Sequence, residues 1–374
     1  MALTNTPSPF ILHVFYMTML WQLPLFLVLC GGVFMIQRRR RRISRMAANR
    51  TTFSRMAVDS AALSSAQPFT ARLFTGRKIL RTSLGVLWIL DGLLQLQPDM
   101  SSEFVPDILN PIMSGQPPFL AHLLQPLVVI WSQNPIQFDL LAVWVQLFLG
   151  VSILFGGDFL WGRAALWGSI AWGFMVWATG EGFGGIFSGN ATWLAGDPGA
   201  VLFYMVGAGF LLAPVKNWGN GDIFRIFRVI MSAVWLWAAA AQGWPASGFW
   251  TGAGLSAPTL SMAEMPQPRS MAAILYRFAQ LLNSAPVVWN TVFILIMTAL
   301  CVGWAVYARQ RWVWRLTYAW LGFTWIFGQE FGVLGGLGTD PNASLIAGLL
   351  VYSVGATGVK AGFRAARSPS IVPE

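Results

Sequence analysis

Asp91 stands inside an otherwise uncharged apolar run, LGVLWILDGLLQLQP over residues 84–98. A carboxyl group at the centre of a membrane helix costs roughly 2.5–3.5 kcal/mol on insertion scales, so its presence needs a reason. At helical steps of three and four residues, Trp88, Asp91 and Gln95 share one face. Two readings are open for that face: a protonatable group that contacts a ligand, or a hydrogen bond across a helix bundle.

A second set of polar groups sits at the ends of apolar segments. Glu181 follows Gly180, and Glu330 follows Gly328-Gln329, both in glycine-rich turns that bring backbone close to whatever lies between them. The two carboxylates are expected either to frame an outward-facing pocket, with Asp91 and Gln95 deeper inside, or to accept backbone N–H bonds from their own turns. Asp197-Pro198 and Asp340-Pro341 have a simpler explanation, because Asp at the N-cap and Pro at N1 start a helix well. Gln242, Gln329 and the tryptophans Trp88, Trp177, Trp235 and Trp325 complete the candidate ligand-binding set; flat rings could stack on these indoles, which also serve core packing.

Other chemistry is poorly supplied. The only histidines are His13 and His122, and Cys30 and Cys301 lie in different apolar segments without ligand spacing, so no metal site is expected. No nucleophile motif, P-loop or dinucleotide fingerprint appears, and catalytic residues are not assigned. The net charge of +10 does not point to nucleic acid, since Arg38 to Arg42 form one run and most other basic residues sit at helix ends.

The elements that must carry these residues are membrane helices. With 56% apolar residues, 10% charged residues and a mean hydropathy of +0.59, the 374-residue chain is far from the mix of soluble domains. Its uncharged windows match the ~20 residues that cross a bilayer. We read an all-α integral membrane protein with about nine transmembrane helices. The first is Phe10 to Ile36 within residues 1–36. The others are 81–97, 138–157, 164–180, 199–215, 226–244, 286–307, 312–328 and 343–359. A basic, Ser- and Ala-rich cytoplasmic linker covers 37–80, a cytoplasmic tail covers 360–374, and the outer loops 98–137 and 245–285 carry short surface helices such as Phe119 to Trp131 and Met271 to Leu282. By the positive-inside rule the N-terminus lies outside and the C-terminus in the cytoplasm. Of the 24 basic residues all but Arg269 and Arg277 then fall on the cytoplasmic side.

The chain also repeats itself. A shift of 147 residues puts Arg81 on Arg228, Trp88 on Trp235, Gln95 on Gln242 and Pro98 on Pro245. A shift of 148 puts Arg163 on Arg311, Trp172 on Trp320, Trp177 on Trp325 and Gly180 on Gly328. Residues 81–215 and 226–359 thus read as two four-helix units in parallel orientation, with Ala238 opposite Asp91, so that any site is asymmetric.

This unit, through LGVLWILDGLLQLQP (84–98), WATGEGFGG (177–185) and WIFGQEFG (325–332), resembles the DoxX/DoxD-like family of small membrane proteins. As a pair it is similar to actinobacterial-type integral membrane proteins, and the resemblance covers about residues 72–360. One branch of that family is the membrane subunit of thiosulfate:quinone oxidoreductase. The resemblance therefore implies a membrane subunit or accessory protein of a respiratory or sulfur-linked redox system in a prokaryotic inner membrane, with a quinone or lipid between the repeats and other complex subunits as partners. The alternatives are a small-solute or ion transporter and a structural scaffold subunit.

Overall fold

The computed structural model describes residues 8–55, 63–265, 267–332 and 337–365. It is all-helical, and the described residues contain no strand. The longer helices are α1 (Pro9–Arg55), α2 (Leu63–Gln95), α3 (Pro118–Gln133), α4 (Pro135–Gly156), α5 (Leu160–Thr179), α6 (Ala200–Leu212), α7 (Asp222–Gly243), α8 (Gly252–Glu264), α9 (Arg269–Ser284), α10 (Pro286–Val306), α11 (Arg311–Phe327) and α12 (Asn342–Ala365).

Among the described residues four stretches are long and apolar enough to cross a membrane: Pro9–Ile36 of α1, α4, α7 and α10. A fifth arises if Thr75–Gln95 of α2 and the segment Met100–Met113, bent from it by 77°, form one broken span. The remaining spans expected from the sequence are helices that fall short by this measure. α6 has 13 residues, about 20 Å at ~1.5 Å per residue, and α11 has 17. α5 has 20 residues but is diluted by Gly, Ser, Trp and Arg163.

The linker expected over 37–80 is helical where it is described, as the continuation of α1 to Arg55 and the start of α2 from Leu63. Its Ala, Leu, Met and Arg residues are strong helix formers, and that propensity outweighs the missing apolar period. Helices stand at both places where short surface helices were expected, as α3 and α9.

The helices form two packed sets. α2 lies along α4, α4 on α5 and α5 on α6, while α7 lies along α10 and α11 on α12. Small residues permit the closest approach: a Cβ on Gly150 of α4 would sit 2.6 Å from the Gly85 carbonyl of α2. The sets meet where α12 rests against α2 and α6, and one buried apolar core runs through both. α1 packs on the outside of α4, where Trp144 donates to Gln22 Oε1 at 2.6 Å and its ring lies 4.8 Å from Phe26.

Candidate functional site

The turn after α5 is built around left-handed backbone: Gly182, Phe183 and Gly184 have φ of 53°, 58° and 60°. A side chain on Gly184 would collide with the Pro198 carbonyl, so only glycine lets the turn lie against the segment before α6. Trp177 donates its indole N–H to that same carbonyl at 2.7 Å. Glu181 then reaches the first turn of α6, where its Oε1 accepts the backbone N–H groups of Ala200 (2.9 Å) and Val201 (3.3 Å). A carboxylate is well suited to the unpaired N–H groups and positive pole of a helix start.

The turn after α11 has the same form with different residues. Trp325 donates to Pro341 O at 2.8 Å, and Glu330, Phe331 and Gly332 have φ of 51°, 56° and 69°. Gln329 Oε1 accepts Ser344 N at 3.0 Å in the first turn of α12. By position and bonding the counterpart of Glu181 is therefore Gln329, and Glu330 stands where the first turn has Gly182. The pocket expected to be framed by Glu181 and Glu330 together is corrected on this point: Glu181 lines the cavity described next and Glu330 does not. Glu330 is buried apart from the cavity described next, and burial, opposed by a hydrogen bond from Gln267, lifts its carboxyl to about 7.

A cavity of about 210 Å³ opens within the first set of helices rather than between the two sets. Its walls come from α2, the segment 104–113, α3, α4 and α5, with Asp340 reaching over from the turn before α12. Most of the wall is apolar, and Leu127 and Leu141 at its edge are about half exposed, at 48% and 50%. Trp88, Asp91, Gln95 and Glu181 line it as a group. Trp88 donates to Ser169 Oγ at 2.8 Å and packs edge-on against Tyr204, whose hydroxyl donates to Asp91 Oδ1 at 3.1 Å. Gln95 donates to the buried Asp139 at 2.5 Å. Asp91 Oδ2 and Glu181 Oε2 are buried without a partner among the described residues.

Electrostatics on this wall are unusual for an apolar cavity. Burial, reinforced by the charge of Asp340, holds the Glu181 carboxyl well above the usual range despite its two backbone hydrogen bonds. Burial likewise raises Asp340, which accepts Asn342 N at 2.6 Å. A group of acids so placed can hold or pass a proton, or meet hydrogen-bonding groups of a bound molecule. Among the described residues no three His, Cys, Asp or Glu side chains converge as a metal site.

The other sequence candidates belong to the framework. Gln242 is buried between Thr192 and Asn290, accepting from Thr192 Oγ1 at 2.6 Å and donating to Asn290 Oδ1 at 2.7 Å. Trp235 packs against Trp193 with ring centroids 4.6 Å apart, and Gln329 donates to Trp193 O at 2.8 Å. This packing fills the space where a pocket between the halves was expected. Asp197 accepts Thr192 N at 2.8 Å and so secures the loop before α6 instead of capping that helix. Sequence reasoning missed Asp340, Gln146 and Trp131 as cavity residues. Gln146 carried a signal, as a lone amide in the apolar run of α4; Asp340 carried none, since its reach across to α2 is tertiary. Compared with protein-family models, with curated proteins and with solved structures, the chain matches none of them.

Proposed function

We propose that the protein is a nine-span inner-membrane protein, outside at its N-terminus and cytoplasmic at its C-terminus, that binds a lipid-soluble molecule of the quinone or lipid class in the cavity of its first four-helix unit. The observation that carries this reading is the combination of a buried acidic wall with an apolar, half-exposed mouth at α3 and α4. In a bilayer such a mouth faces acyl chains, so the ligand enters from the lipid. A solute arriving from water would instead meet Leu127 and Leu141. The reading as a subunit or accessory of a redox system rests on the resemblance to the DoxX/DoxD-like family. The matching turns at Trp177 to Gly184 and Trp325 to Gly332 support a tandem repeat.

Purification of the full chain in mild detergent, with mass spectrometry of the lipids, quinones and proteins that accompany it, tests this reading. A stoichiometric quinone or quinol is the expected result. A stable protein partner without any lipid-soluble ligand would favour a scaffold, and binding of water-soluble ions or solutes alone would favour a transporter. A periplasmic reporter active at the C-terminus would sink the nine-span topology.

A further inference from the structure

Five buried polar atoms on the cavity wall have no hydrogen-bond partner among the described residues: Asp91 Oδ2, Gln146 Oε1, Glu181 Oε2 and the indole nitrogens of Trp131 and Trp172. Asp91 and Gln146 are only 2% and 6% exposed. Leaving such groups unpaired is expensive, so an occupant is expected to answer them. Their kinds restrict it. An indole N–H only donates, whereas an amide oxygen and an ionised carboxylate only accept. A carbonyl answers the indoles and leaves the Gln146 oxygen unpaired, and an ammonium does the reverse. A hydroxyl, with one donor and two lone pairs, answers both.

The same positions in the second unit show that this wall is a built feature and not a packing defect. With Pro135 set on Pro286, a shift of 151 residues, Leu127 and Ala142 correspond to Phe278 and Phe293; at the shift of 148, Met175 and Thr179 correspond to Phe323 and Phe327. All four residues of the first unit line the cavity. Their four phenylalanine counterparts pack on one another, with Phe278 5.5 Å from Phe323 and 5.3 Å from Phe327. Where the rings fill the space three of the five polar groups are gone too, since Asp91, Trp131 and Gln146 correspond to Ala238, Leu282 and Met297, while Trp172 and Glu181 correspond to Trp320 and Gln329. The open volume and three of its five hydrogen-bonding groups, Asp91, Trp131 and Gln146, are kept in one unit and lost together in the other.

We infer that the cavity recognises a lipid-soluble ring bearing phenolic hydroxyls, and so holds a hydroquinone in preference to the corresponding quinone. This deepens the quinone-class reading above and rests on it. A hydroxyl proton goes to Gln146 Oε1, and the hydroxyl oxygens accept from Trp131 or Trp172. Only binding is involved, with no electron transfer.

The full-length protein in lipid nanodiscs would be titrated anaerobically with a decyl-substituted 1,4-hydroquinone, the matching quinone and the dimethyl ether of the hydroquinone, followed by tryptophan quenching and checked by calorimetry. The hydroquinone should bind roughly tenfold or more tightly than the other two, the order of one hydrogen bond to a buried acceptor. Gln146→Met should erase roughly that preference. Should this variant fail to fold, Trp172→Phe, which keeps the ring and removes the N–H, should weaken the hydroquinone by a similar factor. Equal binding of quinone and hydroquinone would overturn the hydroxyl inference and leave the quinone-class function standing. Tighter binding of dodecylammonium, which carries three N–H donors, would overturn it in favour of a cation. Binding of none of the three rings would overturn both readings.

Discussion

Glu181 and Gln329 do the same structural work in the two halves of the chain: each side-chain oxygen accepts a backbone N–H in the first turn of the helix that follows, Ala200 and Val201 for Glu181 and Ser344 for Gln329. The acceptor, not the charge, is common to both. Glu181→Gln should therefore fold as well as the parent, with a thermal midpoint within a degree or two. Glu181→Leu leaves two N–H groups unanswered in a buried turn and should lose about 1–3 kcal/mol. Denaturant titration of both variants in one detergent decides this, and equal losses in the two would show that the charge itself holds α6.

Glu330 occupies left-handed backbone at φ 51°, where the matching residue Gly182 has φ 53°. A residue with a Cβ pays roughly 1–2 kcal/mol there, and glycine gives back ~0.5–1 kcal/mol through its freer unfolded chain. Burial of the Glu330 carboxyl adds to the cost above pH 7. Glu330→Gly is thus expected to raise stability on the order of 1 kcal/mol at pH 8. A drop in the midpoint of this variant would mean that Glu330 makes an essential contact instead.

Asp197 supplies a pH signature. Burial lifts its carboxyl from 3.8 to about 7, against the hydrogen bond from Thr192 N. The folded protein therefore binds a proton that the unfolded chain releases across that interval, so this group's contribution to stability is largest below about 3.8, falls as pH rises and levels off above about 7. Asn keeps an oxygen for Thr192 but does not titrate. The difference in thermal midpoint between Asp197→Asn and the parent should then grow in favour of the variant from pH 4 to pH 7 and stay constant beyond. A pH-independent difference would show that Asp197 is ionised throughout.

The sequence revealed what depends on neighbours along the chain. Apolar length placed α1, α4, α7 and α10, and the helical face of Trp88, Asp91 and Gln95 gathers in one cavity as its spacing implied. What failed depends on contacts between distant segments. Glu181 and Glu330 were expected to frame one pocket because each ends a Gly-containing turn, yet one accepts from the next helix and lines the cavity while the other holds a left-handed backbone position away from it. Gln242 repeats Gln95 in sequence but is consumed by Thr192 and Asn290, and the space expected between the halves is taken by Trp193 and Trp235. The cavity itself was invisible because it is made by absent bulk at Leu127, Ala142, Met175 and Thr179, which no hydropathy pattern records.

That absence can be tested energetically by exchanging Ala142 and Phe293, the matched pair on α4 and α10. Phe293 is buried, with its ring 5.5 Å from Trp320 and 6.3 Å from Phe323, so Phe293→Ala removes a well-packed ring and should cost about 3–5 kcal/mol. Ala142 faces an open volume of about 210 Å³, and the ring added by Ala142→Phe can enter it without displacing neighbours. This variant should lose less than about 1 kcal/mol, or gain stability, where a ring forced into a filled core typically costs 1–3 kcal/mol. Denaturant unfolding of the two single variants in the same lipid–detergent mixture measures the contrast. Comparable losses would mean that the space beside Ala142 is not open in the folded protein, and the proposal of a ligand cavity in the first unit would go with it.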